Sequence, residues 1–473
     1  MKKYDIIVIG GGSGGLTAAS GAAQFGAKTA LIEKQNSLGG DCLHYGCVPS
    51  KALIAAASEL HDTHVSAKKH GLVIDGKPDW QKVRSQIQKA VDTIQEHDST
   101  ERFQKLGVDV IYAEASFEDA HRLRLSNGQV IKGKRIVIAT GSRPIIPEIE
   151  NVNLVDVITN ESVFYMEKLP ENIVMVGGGA IGLEMAQALS RVGASVTVVD
   201  NAPDLLLQED EDISVRASRE FKKEVTIHLK STVKKLERHD DGVFAVIEGE
   251  VNKKVKTDAL FLAVGRNPNI DLLKLDNAGV ERNEKAAISV NERMQTSVPH
   301  IYAVGDVNGK FPFTHGAGEE AKVVIANAVF GLKMKMDYSN LPWAFYTQPE
   351  IFHLGQTEKE VIEQSGKDYE VIKADNPDRM IAEQDEVSFV KVIIDRKGFI
   401  LGAHGIGKNA SDWMQTLVYM KTKGHKIKDI SEVVHPYPAR TEIVKQLADQ
   451  YWNKKLFKSR LTGFTKTYIK YLR

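Results

Sequence analysis

Cys42 and Cys47 are the only cysteines in this chain of 473 residues, and both lie in one short segment, GGDCLHYGCVPSK. Closing so short a loop would constrain the unfolded chain only slightly, so a structural cross-link explains the pair poorly. A regular helix would separate the two positions by about 7.5 Å along its axis, too far for easy bridging. Gly46 allows the backbone to leave helical geometry between them. We therefore predict a redox-active dithiol or disulfide.

The residues that follow Cys47 predict its chemical state. Pro49 suits the first turn of a helix that starts just after Cys47. Backbone N–H groups and the positive helix end would then favour a thiolate at this position. Two alternatives remain, namely a pair of inert buried thiols and half of a metal site. Because no further cysteine could complete a typical zinc site, no metal is predicted.

A glycine motif precedes the cysteines. An apolar strand over residues 6–9 leads into Gly10, Gly12 and Gly15. A helix of small residues follows, and then a second strand that ends at Glu33. Glycines with this spacing permit a tight turn and close approach to a pyrophosphate, whose charge the helix N-terminus supports. The acid can bind a ribose hydroxyl, so the segment is predicted to bind a dinucleotide.

The motif occurs a second time, with Gly177, Gly179 and Gly182. Its second strand ends at Asp200, which is as far from the first glycine as Glu33 is in the first copy. A carboxylate at this position binds a 2′-hydroxyl and repels a 2′-phosphate. Residues 201–207 contain no Arg or Lys that could hold a phosphate. The second site is therefore predicted to prefer NADH over NADPH.

Each copy is followed by a further strand that ends in a glycine turn, over residues 136–142 and 260–266. The turns add Thr140, Gly141 and Gly265 as candidate cofactor contacts. Two dinucleotide sites and one thiol pair imply an electron relay between two dinucleotides and sulfur.

These motifs resemble those of the class I FAD-dependent pyridine nucleotide–disulfide oxidoreductases, a family that includes dihydrolipoamide dehydrogenase, glutathione reductase and mercuric reductase. HIYAVGDV, residues 300–307, resembles the second flavin motif of the family, in which Asp306 would bind the ribitol. TQPEIFHLGQTE, residues 347–358, resembles the opening of its dimerisation domain. The resemblance implies an α/β fold with two Rossmann-like domains, for FAD and NAD(P), and a C-terminal α+β dimerisation domain.

The resemblance also implies roles for individual residues. Cys47 would lie against the flavin as the charge-transfer thiol, and Cys42 would face the substrate as the interchange thiol. Lys51 and Glu184 would pair beside the flavin ring, and the backbone of Ala115 would meet the adenine.

The C-terminal segment VVHPYPARTE departs from the best-known relatives. They carry a His, supplied by the partner subunit, that shuttles protons and is followed by a Glu. Glu442 aligns with that Glu, but Tyr437 stands where the His is expected. A Tyr is a poor base near neutral pH. His435 lies nearby, either as a substitute acid–base group or as an ordinary packed histidine.

We therefore predict an FAD-dependent homodimeric oxidoreductase that passes electrons from NADH to a small disulfide, a metal ion or a quinone. It resembles mercuric reductase, which also places Tyr here, but it lacks that enzyme's C-terminal cysteine pair. One alternative is a genuine dihydrolipoamide dehydrogenase. Another, of a different class, is a non-enzymatic redox sensor that binds flavin and NADH at the membrane.

The repeats predict the domain order: an FAD domain over residues 1–145 and 271–340, a nicotinamide domain over 146–270, and a dimerisation domain over 341–473. Residues 79–106 predict one long amphipathic helix, residues 389–395 a strand, and a further helix starts near Ser411.

Composition limits the partners and the compartment. Basic and acidic residues balance at 62 each, so nothing indicates nucleic acid. The two cysteines, which must cycle, favour a reducing cytoplasm. The tail over residues 451–473 is basic and aromatic, which suits peripheral contact with an anionic membrane. The alternative is that the tail packs on the partner subunit.

Overall fold

The computed structural model describes residues 1–366, 368–457 and 468–472. The strands are β1 Lys2–Ile9, β2 Thr29–Glu33, β3 Val108–Tyr112, β4 Ala115–Phe117, β5 Arg122–Leu125, β6 Val130–Ile138, β7 Ser142–Pro144, β8 Asp156–Ile158, β9 Asn172–Val176, β10 Ser195–Val199, β11 Thr226–His228, β12 Ser231–His239, β13 Gly242–Gly249, β14 Lys253–Lys256, β15 Ala259–Leu262, β16 Arg266–Pro268, β17 Ile301–Ala303, β18 Pro342–Phe345, β19 Glu350–Gly355, β20 Tyr369–Asp375, β21 Phe389–Asp395 and β22 Ile400–Gly407. The α-helices are α1 Ser13–Gln24, α2 Gly40–His44, α3 Cys47–Lys69, α4 Trp80–Gln95, α5 Thr100–Lys105, α6 Ala180–Arg191, α7 Glu211–Glu224, α8 Thr314–Phe330, α9 Glu358–Ser365, α10 Asp378–Ala382, α11 Ala410–Trp413, α12 Gln415–Lys423 and α13 Glu442–Phe457.

The chain divides into two compact units. The first consists of Met1–Ala202 and Thr226–Tyr338. The second consists of Pro203–Val225 and the chain from Ser339 onward. The segment Pro203–Val225 therefore groups with the C-terminal part, although it directly follows the second glycine motif in sequence. The domain boundaries given above stay predictions.

Two parallel sheets form the framework of the first unit. One has the order β3-β2-β1-β6, with β17 also paired to β6 and an antiparallel extension through β5 and β4. The other has the order β11-β10-β9-β15-β8. Their central strands are apolar on both faces, and every residue of β2 and β15 is buried, as expected for parallel sheets covered on two sides. Burying each large aliphatic side chain contributes about 1.5–3 kcal/mol. The architecture confirms the predicted α/β class with two Rossmann-like units.

The prediction of one long helix over residues 79–106 is wrong, because the structure has two helices there, α4 and α5. Asp79 caps the first, its side chain accepting a hydrogen bond from the Gln81 amide at 2.9 Å. Ser99 has extended dihedral angles and donates its hydroxyl to the Glu96 carbonyl at 2.9 Å. Short polar side chains that bond nearby backbone groups compete with helical hydrogen bonds, which explains the break.

The second unit is built on an antiparallel sheet with the order β18-β19-β22-β21-β20. One face is apolar and packs against α12 and α13 through residues that alternate along the strands. This core includes Phe352, Leu354, Val392, Leu417 and Leu447. The strand predicted over residues 389–395 is β21, and the helix expected near Ser411 is divided into α11 and α12. The C-terminal unit is thus of the predicted α+β type.

Candidate functional site

The two cysteines lie on consecutive helices of the first unit. Cys42 is inside α2, and Cys47 is the first residue of α3. Tyr45 and Gly46 between them have non-helical dihedral angles, as expected from the spacing. Both cysteines are present as thiols; Cys42 is half-buried and Cys47 is exposed. The start of α3 at Cys47 directs free backbone N–H groups and the positive helix end toward this thiol.

The two thiols differ strongly in acidity. The hydrogen bond from Cys42 lowers the pKa of Cys47 to about 6, with further lowering by the Thr314 hydroxyl and the charge of Lys51. The Thr314 Oγ1 lies 3.2 Å from the Cys47 sulfur. The same hydrogen bond, together with burial, raises the pKa of Cys42. At neutral pH the pair therefore holds one thiolate, on Cys47, and one thiol, on Cys42.

An ion pair connects the cysteine helix to the second glycine copy. The Lys51 Nζ on α3 lies 2.8 Å from the Glu184 Oε2 on α6. The Glu184 side chain is 8% exposed and that of Lys51 is 36% exposed. A buried carboxylate needs such a partner to remain charged. The pair that the resemblance implies is therefore present, and it fixes Lys51 close enough to favour the Cys47 thiolate.

The first glycine loop has the close contacts that a dinucleotide cradle requires. Gly10 has φ +105°, and a Cβ there would lie 2.3 Å from the Ala139 carbonyl oxygen. A Cβ at Gly15 would lie 1.9 Å from the Gly10 oxygen. At Gly12, by contrast, the nearest atom would be 3.8 Å away, which leaves room for a phosphate to approach. Glu33 reaches back to this loop, where its Oε2 accepts a hydrogen bond from the Gly11 amide at 2.6 Å.

The second loop repeats this geometry. Gly177 has φ +107°, and a Cβ there would lie 2.4 Å from the Ala263 oxygen. A Cβ at Gly182 would lie 2.0 Å from the Gly177 oxygen, whereas Gly179 is open. The Asp200 carboxylate accepts a hydrogen bond from the Gly178 amide, as Glu33 does from Gly11. Both loops therefore fit a dinucleotide pyrophosphate at a helix N-terminus.

The first loop also touches the cysteine segment. The Gly39 amide donates to the Gly11 carbonyl at 2.9 Å. A Cβ at Gly40 would lie 2.6 Å from the Gly12 Cα, so the two backbones meet at a distance that only glycine allows. This contact sets the dithiol directly beside the first dinucleotide loop.

The remaining predicted cofactor residues lie in turns of both copies and, for Ala115, at the start of a strand. Thr140 donates its hydroxyl to the Asn269 carbonyl at 2.7 Å, and Gly141 has φ +65°. Gly265 has φ +138° at the corresponding turn of the second copy. Ala115 begins β4 and is buried. Asp306 lies in the 3₁₀ turn Gly305–Asn308. The cofactor roles of these residues stay predictions.

A charged network that the sequence did not predict connects Asp306 to the cysteine segment. The Ser142 hydroxyl donates to Asp306 Oδ2 at 2.6 Å and receives the Arg266 Nε at 2.7 Å. The Arg266 Nη2 lies 3.2 Å from Asp41 Oδ1, and Asn160 donates to the same oxygen at 3.3 Å. Burial raises the pKa of Asp41, and Arg266 opposes that rise. The available signals were the acid directly before Cys42 and the arginine that ends the second glycine turn.

The three C-terminal candidates belong to the second unit. Tyr437 is 72% exposed, and its hydroxyl donates to Asp378 Oδ2 at 2.7 Å. That bond raises the pKa of Tyr437 above its ordinary value. His435 Nε2 and Glu442 Oε2 are buried atoms that have no hydrogen-bond partner among the described residues. Tyr437 is therefore held away from the ionised form, whereas His435 retains an unused ring nitrogen.

Part of the basic tail lies outside the described residues, namely residues 458–467 and Arg473. Within α13, Lys454 pairs with Glu370 at 2.8 Å, and Lys455 lies over the Tyr451 ring at 5.4 Å. In the described part of the chain, no helix combines the length and apolar character that crossing a bilayer would need.

Comparison with known proteins gives the family. The model of the pyridine nucleotide-disulphide oxidoreductases matches residues 4–321, and that of their dimerisation domain matches residues 341–448. The dihydrolipoyl dehydrogenase of Haloferax volcanii is 33% identical over 467 residues, which cover 94% of this chain and 95% of the relative. The mercuric reductase of Streptomyces lividans is 29% identical, covering 95% of this chain and 96% of the relative.

A solved structure agrees. The Cu(II) complex of the HOCl-induced flavoprotein disulfide reductase RclA from Escherichia coli superposes with a TM-score of 0.83 at 26% identity. The superposition covers 95% of this chain and 100% of the solved one. The dithiol, the paired glycine loops and the dimerisation domain agree with these matches. This chain therefore belongs to the pyridine nucleotide-disulfide oxidoreductases of class I, the enzymes that use FAD and NAD(P)H.

Proposed function

We propose that this enzyme passes two electrons from NADH, through FAD, to the Cys42–Cys47 pair and from there to a small acceptor that binds thiolate sulfur directly, such as a metal ion. The single observation that carries the proposal is the setting of Cys47, which begins α3 with its sulfur 3.2 Å from Thr314 Oγ1. In this setting the hydrogen bond from Cys42, followed by Thr314 and Lys51, lowers the pKa of Cys47 to about 6. A low pKa makes Cys47 a thiolate in neutral solution, and a thiolate is the form that coordinates metals and attacks disulfides.

The protein supplies position and charge for this reaction. FAD, when bound at the first glycine loop, supplies the two-electron chemistry that couples NADH to sulfur. Lys51 stabilises the Cys47 thiolate and is itself held by Glu184. Oxidation of the pair forms one S–S bond and releases two electrons. Because Cys47 is already a thiolate, only one proton leaves, from Cys42.

Acceptors differ in whether they need a base to remove the Cys42 proton, and this difference favours one class of acceptor. Thiol–disulfide exchange between Cys42 and a small disulfide needs a positioned base to remove that proton, and such a base typically supplies a factor of about 10²–10⁴ in rate. Tyr437 serves this role poorly, because its hydroxyl is engaged by Asp378 and its pKa is raised. A metal ion that binds the thiolates displaces the proton directly and needs the base less. Similarity to a mercuric reductase and to a protein solved as a Cu(II) complex supports this class of acceptor.

A second candidate function is dihydrolipoamide oxidation. Two observations favour it. One is the 33% identity to a dihydrolipoyl dehydrogenase, and the other is the His435 Nε2, which has no hydrogen-bond partner in the described part of the chain. In this alternative His435, oriented by Glu442, would take the proton in the partner subunit's site.

An acceptor panel separates the two. Purified enzyme is assayed for NADH oxidation with lipoamide, Cu²⁺, Hg²⁺ and a quinone, in wild type, Tyr437→Phe, Tyr437→His and His435→Ala. We expect metal-dependent turnover that survives Tyr437→Phe, and weak lipoamide turnover that Tyr437→His raises by about tenfold or more. Strong lipoamide turnover in wild type that is lost in His435→Ala would establish the second candidate. NADH oxidation with none of the acceptors would instead support a redox sensor.

The cysteine roles have a separate spectroscopic test. A thiolate in contact with oxidised flavin produces a long-wavelength absorption band, so Cys42→Ser should show this band without added reductant. Cys47→Ser should lack it under all conditions. A normal band in Cys47→Ser would reverse the two roles.

A further inference from the structure

One face of the sheet in the second unit carries a row of polar and aromatic residues. The strand registers place Trp343 opposite His353, His353 opposite His404, and His404 opposite Lys391. Lys373 extends the row on β20. The opposite face of the same sheet is the apolar core described above. A buried row of this kind needs partners for each member.

The segment Pro203–Val225 supplies acidic partners for this row. Lys391 is 2% exposed, and its Nζ contacts Asp210 at 2.7 Å, Asp212 at 2.8 Å and Glu358 at 2.6 Å. Lys373 also pairs with Asp212 at 2.8 Å. The lysine end of the row is therefore fully satisfied by carboxylates.

The histidine end of the row is arranged differently. His353 and His404 are 2% and 0% exposed, and the Glu209 side chain is completely buried. The His353 Nε2 donates to the Gly355 carbonyl at 2.9 Å, and the His404 Nε2 donates to the Gln356 carbonyl at 2.9 Å. Carbonyl oxygens only accept hydrogen bonds, so each Nε2 carries the hydrogen. Two consecutive backbone carbonyls thus fix both imidazole rings with an N–H donor at Nε2.

This arrangement leaves the two Nδ1 atoms for other partners. His353 Nδ1 lies 2.8 Å from Glu209 Oε2, and because the carboxylate accepts, a proton sits between them. His404 Nδ1 is buried and has no hydrogen-bond partner within the described residues. A buried nitrogen lone pair without a partner destabilises the folded protein and calls for an explanation.

We propose that Glu209, His353 and His404 bind one divalent transition-metal ion of the zinc type. One ligand atom from each residue lies within 4.8 Å of one atom from each of the other two. Two imidazoles and a carboxylate are donors that zinc accepts, whereas Mg²⁺ and Ca²⁺ prefer oxygen. On binding, the ion replaces the proton between His353 and Glu209 and uses the free lone pair of His404.

The surroundings are those of a metal site. Ligating histidines usually donate their other N–H to a backbone carbonyl or a carboxylate, as both do here. The other oxygen of Glu209, Oε1, accepts a hydrogen bond from Trp343 Nε1 at 2.8 Å, which orients the carboxylate. The Trp343 ring stacks on His353 with centroids 3.6 Å apart. The ion would join Pro203–Val225 to β19 and β22. With three protein ligands, a tetrahedral ion would take water as its fourth ligand.

The test must exclude the dithiol, since thiolates bind the same ions. We therefore use the FAD-loaded Cys42→Ser/Cys47→Ser protein. This protein has no thiols, and its metal content can be measured whether or not the proposed electron transfer is correct. Because the ligands are almost fully buried, Zn²⁺ or Co²⁺ is supplied during expression, and metal per chain is measured after desalting. We expect about one ion per chain, and at least about a tenfold loss in His404→Gln and in Glu209→Gln.

His228→Gln is the matched control, because the His228 Nε2 is also a buried atom without a hydrogen-bond partner. Among the described residues, however, His228 belongs to no cluster of three or more potential metal ligands. It should retain the full metal content. Equal metal content in the parent and in His404→Gln, or none in the parent, would overturn the proposal.

A second measurement needs no substitution at the site. X-ray absorption of the Zn²⁺-loaded parent should show two imidazole nitrogens and a carboxylate oxygen at about 2.0–2.2 Å. A spectrum without imidazole scattering would refute the site even if the His404 and Glu209 variants fail to fold.

Discussion

The two glycine loops of the first unit have the same local geometry but different surroundings. In the first copy, Gly14 is buried in α1, and a Cβ there would lie 3.0 Å from the Val304 side chain and 3.4 Å from Ala317. A Cβ at Gly21 would lie 2.4 Å from the Ile325 side chain on α8. In the second copy the position equivalent to Gly14 is Ile181, which is 40% exposed.

This difference in surroundings suits one copy to retaining a dinucleotide and the other to exchanging one. Helix α8 packs closely against α1, so the helix that follows the first loop is enclosed by its own domain. The second loop has an exposed Gly179 and an exposed Val264 nearby. We infer that the enclosed loop retains FAD, while the open loop lets the nicotinamide nucleotide enter and leave. On this inference the same motif serves either purpose, and the helix that covers it decides which.

The largest expected effect comes from a substitution that disrupts the packing of α8 against α1. Gly14→Ile gives the first copy the residue of the second and forces a branched side chain against Val304 and Ala317. Overpacking of this kind costs about 1–3 kcal/mol. We expect the purified protein to lose most of its flavin, measured as the ratio of 450 nm to 280 nm absorbance. The reciprocal change, Ile181→Gly, should retain the flavin, because that position is exposed. Equal flavin content in both variants would contradict the comparison.

The next prediction exchanges the acids of the two copies for serine. Asp200→Ser removes the carboxylate that should bind the 2′-hydroxyl of NADH. In wild type the ratio of kcat/KM for NADH to kcat/KM for NADPH should exceed one, and in the variant it should fall by about tenfold. This size follows because a charge-assisted hydrogen bond contributes about 1.5–3 kcal/mol. Flavin content should not change. Glu33→Ser should do the reverse, weakening flavin retention without altering nucleotide preference. A wild-type enzyme that uses NADPH as well as NADH would show that Asp200 does not discriminate.

A smaller effect concerns the thiols, which only the first copy carries. The hydrogen bond from Cys42 is the largest cause of the low Cys47 pKa. Cys42→Ala removes the donor and Cys42→Ser keeps one, and each variant has a single thiol. Because the thiolate forms above its pKa, the long-wavelength flavin band should fade on acidification through about pH 6 in Cys42→Ser. In Cys42→Ala it should fade at a higher pH. Coincident titrations would show that the hydrogen bond is unimportant.

The smallest expected effect concerns the ion pair that connects the two copies. Lys51 lowers the pKa of Cys47 less than the hydrogen bonds of Cys42 and Thr314 do. Lys51→Met should therefore raise the pKa of Cys47 by less than Cys42→Ala does, as read from the same band. Lys68→Met, an exposed position farther along α3, is the control and should leave the titration unchanged. A shift in the control as large as in Lys51→Met would mean that the net charge of the helix, rather than the ion pair, sets the acidity.

Local sequence was sufficient where the chemistry is local. The glycine spacing predicted both loops, because a tight turn with positive φ at Gly10 and Gly177 needs glycine whatever surrounds it. The start of α3 at Cys47 followed from Pro49 and Gly46. Local sequence failed at residues 96–99, where amphipathic periodicity continued across a break made by short polar side chains.

What the sequence determined by itself was therefore the two dinucleotide motifs, the dithiol and the class of fold, because each depends on residues close together in the chain. Only the tertiary structure decided the rest. The cover of α8 over α1, the network from Arg266 to Asp41, and the meeting of Glu209 with His353 and His404 all join residues far apart in sequence. Strand register and helix packing bring them together, and no local pattern records such a contact.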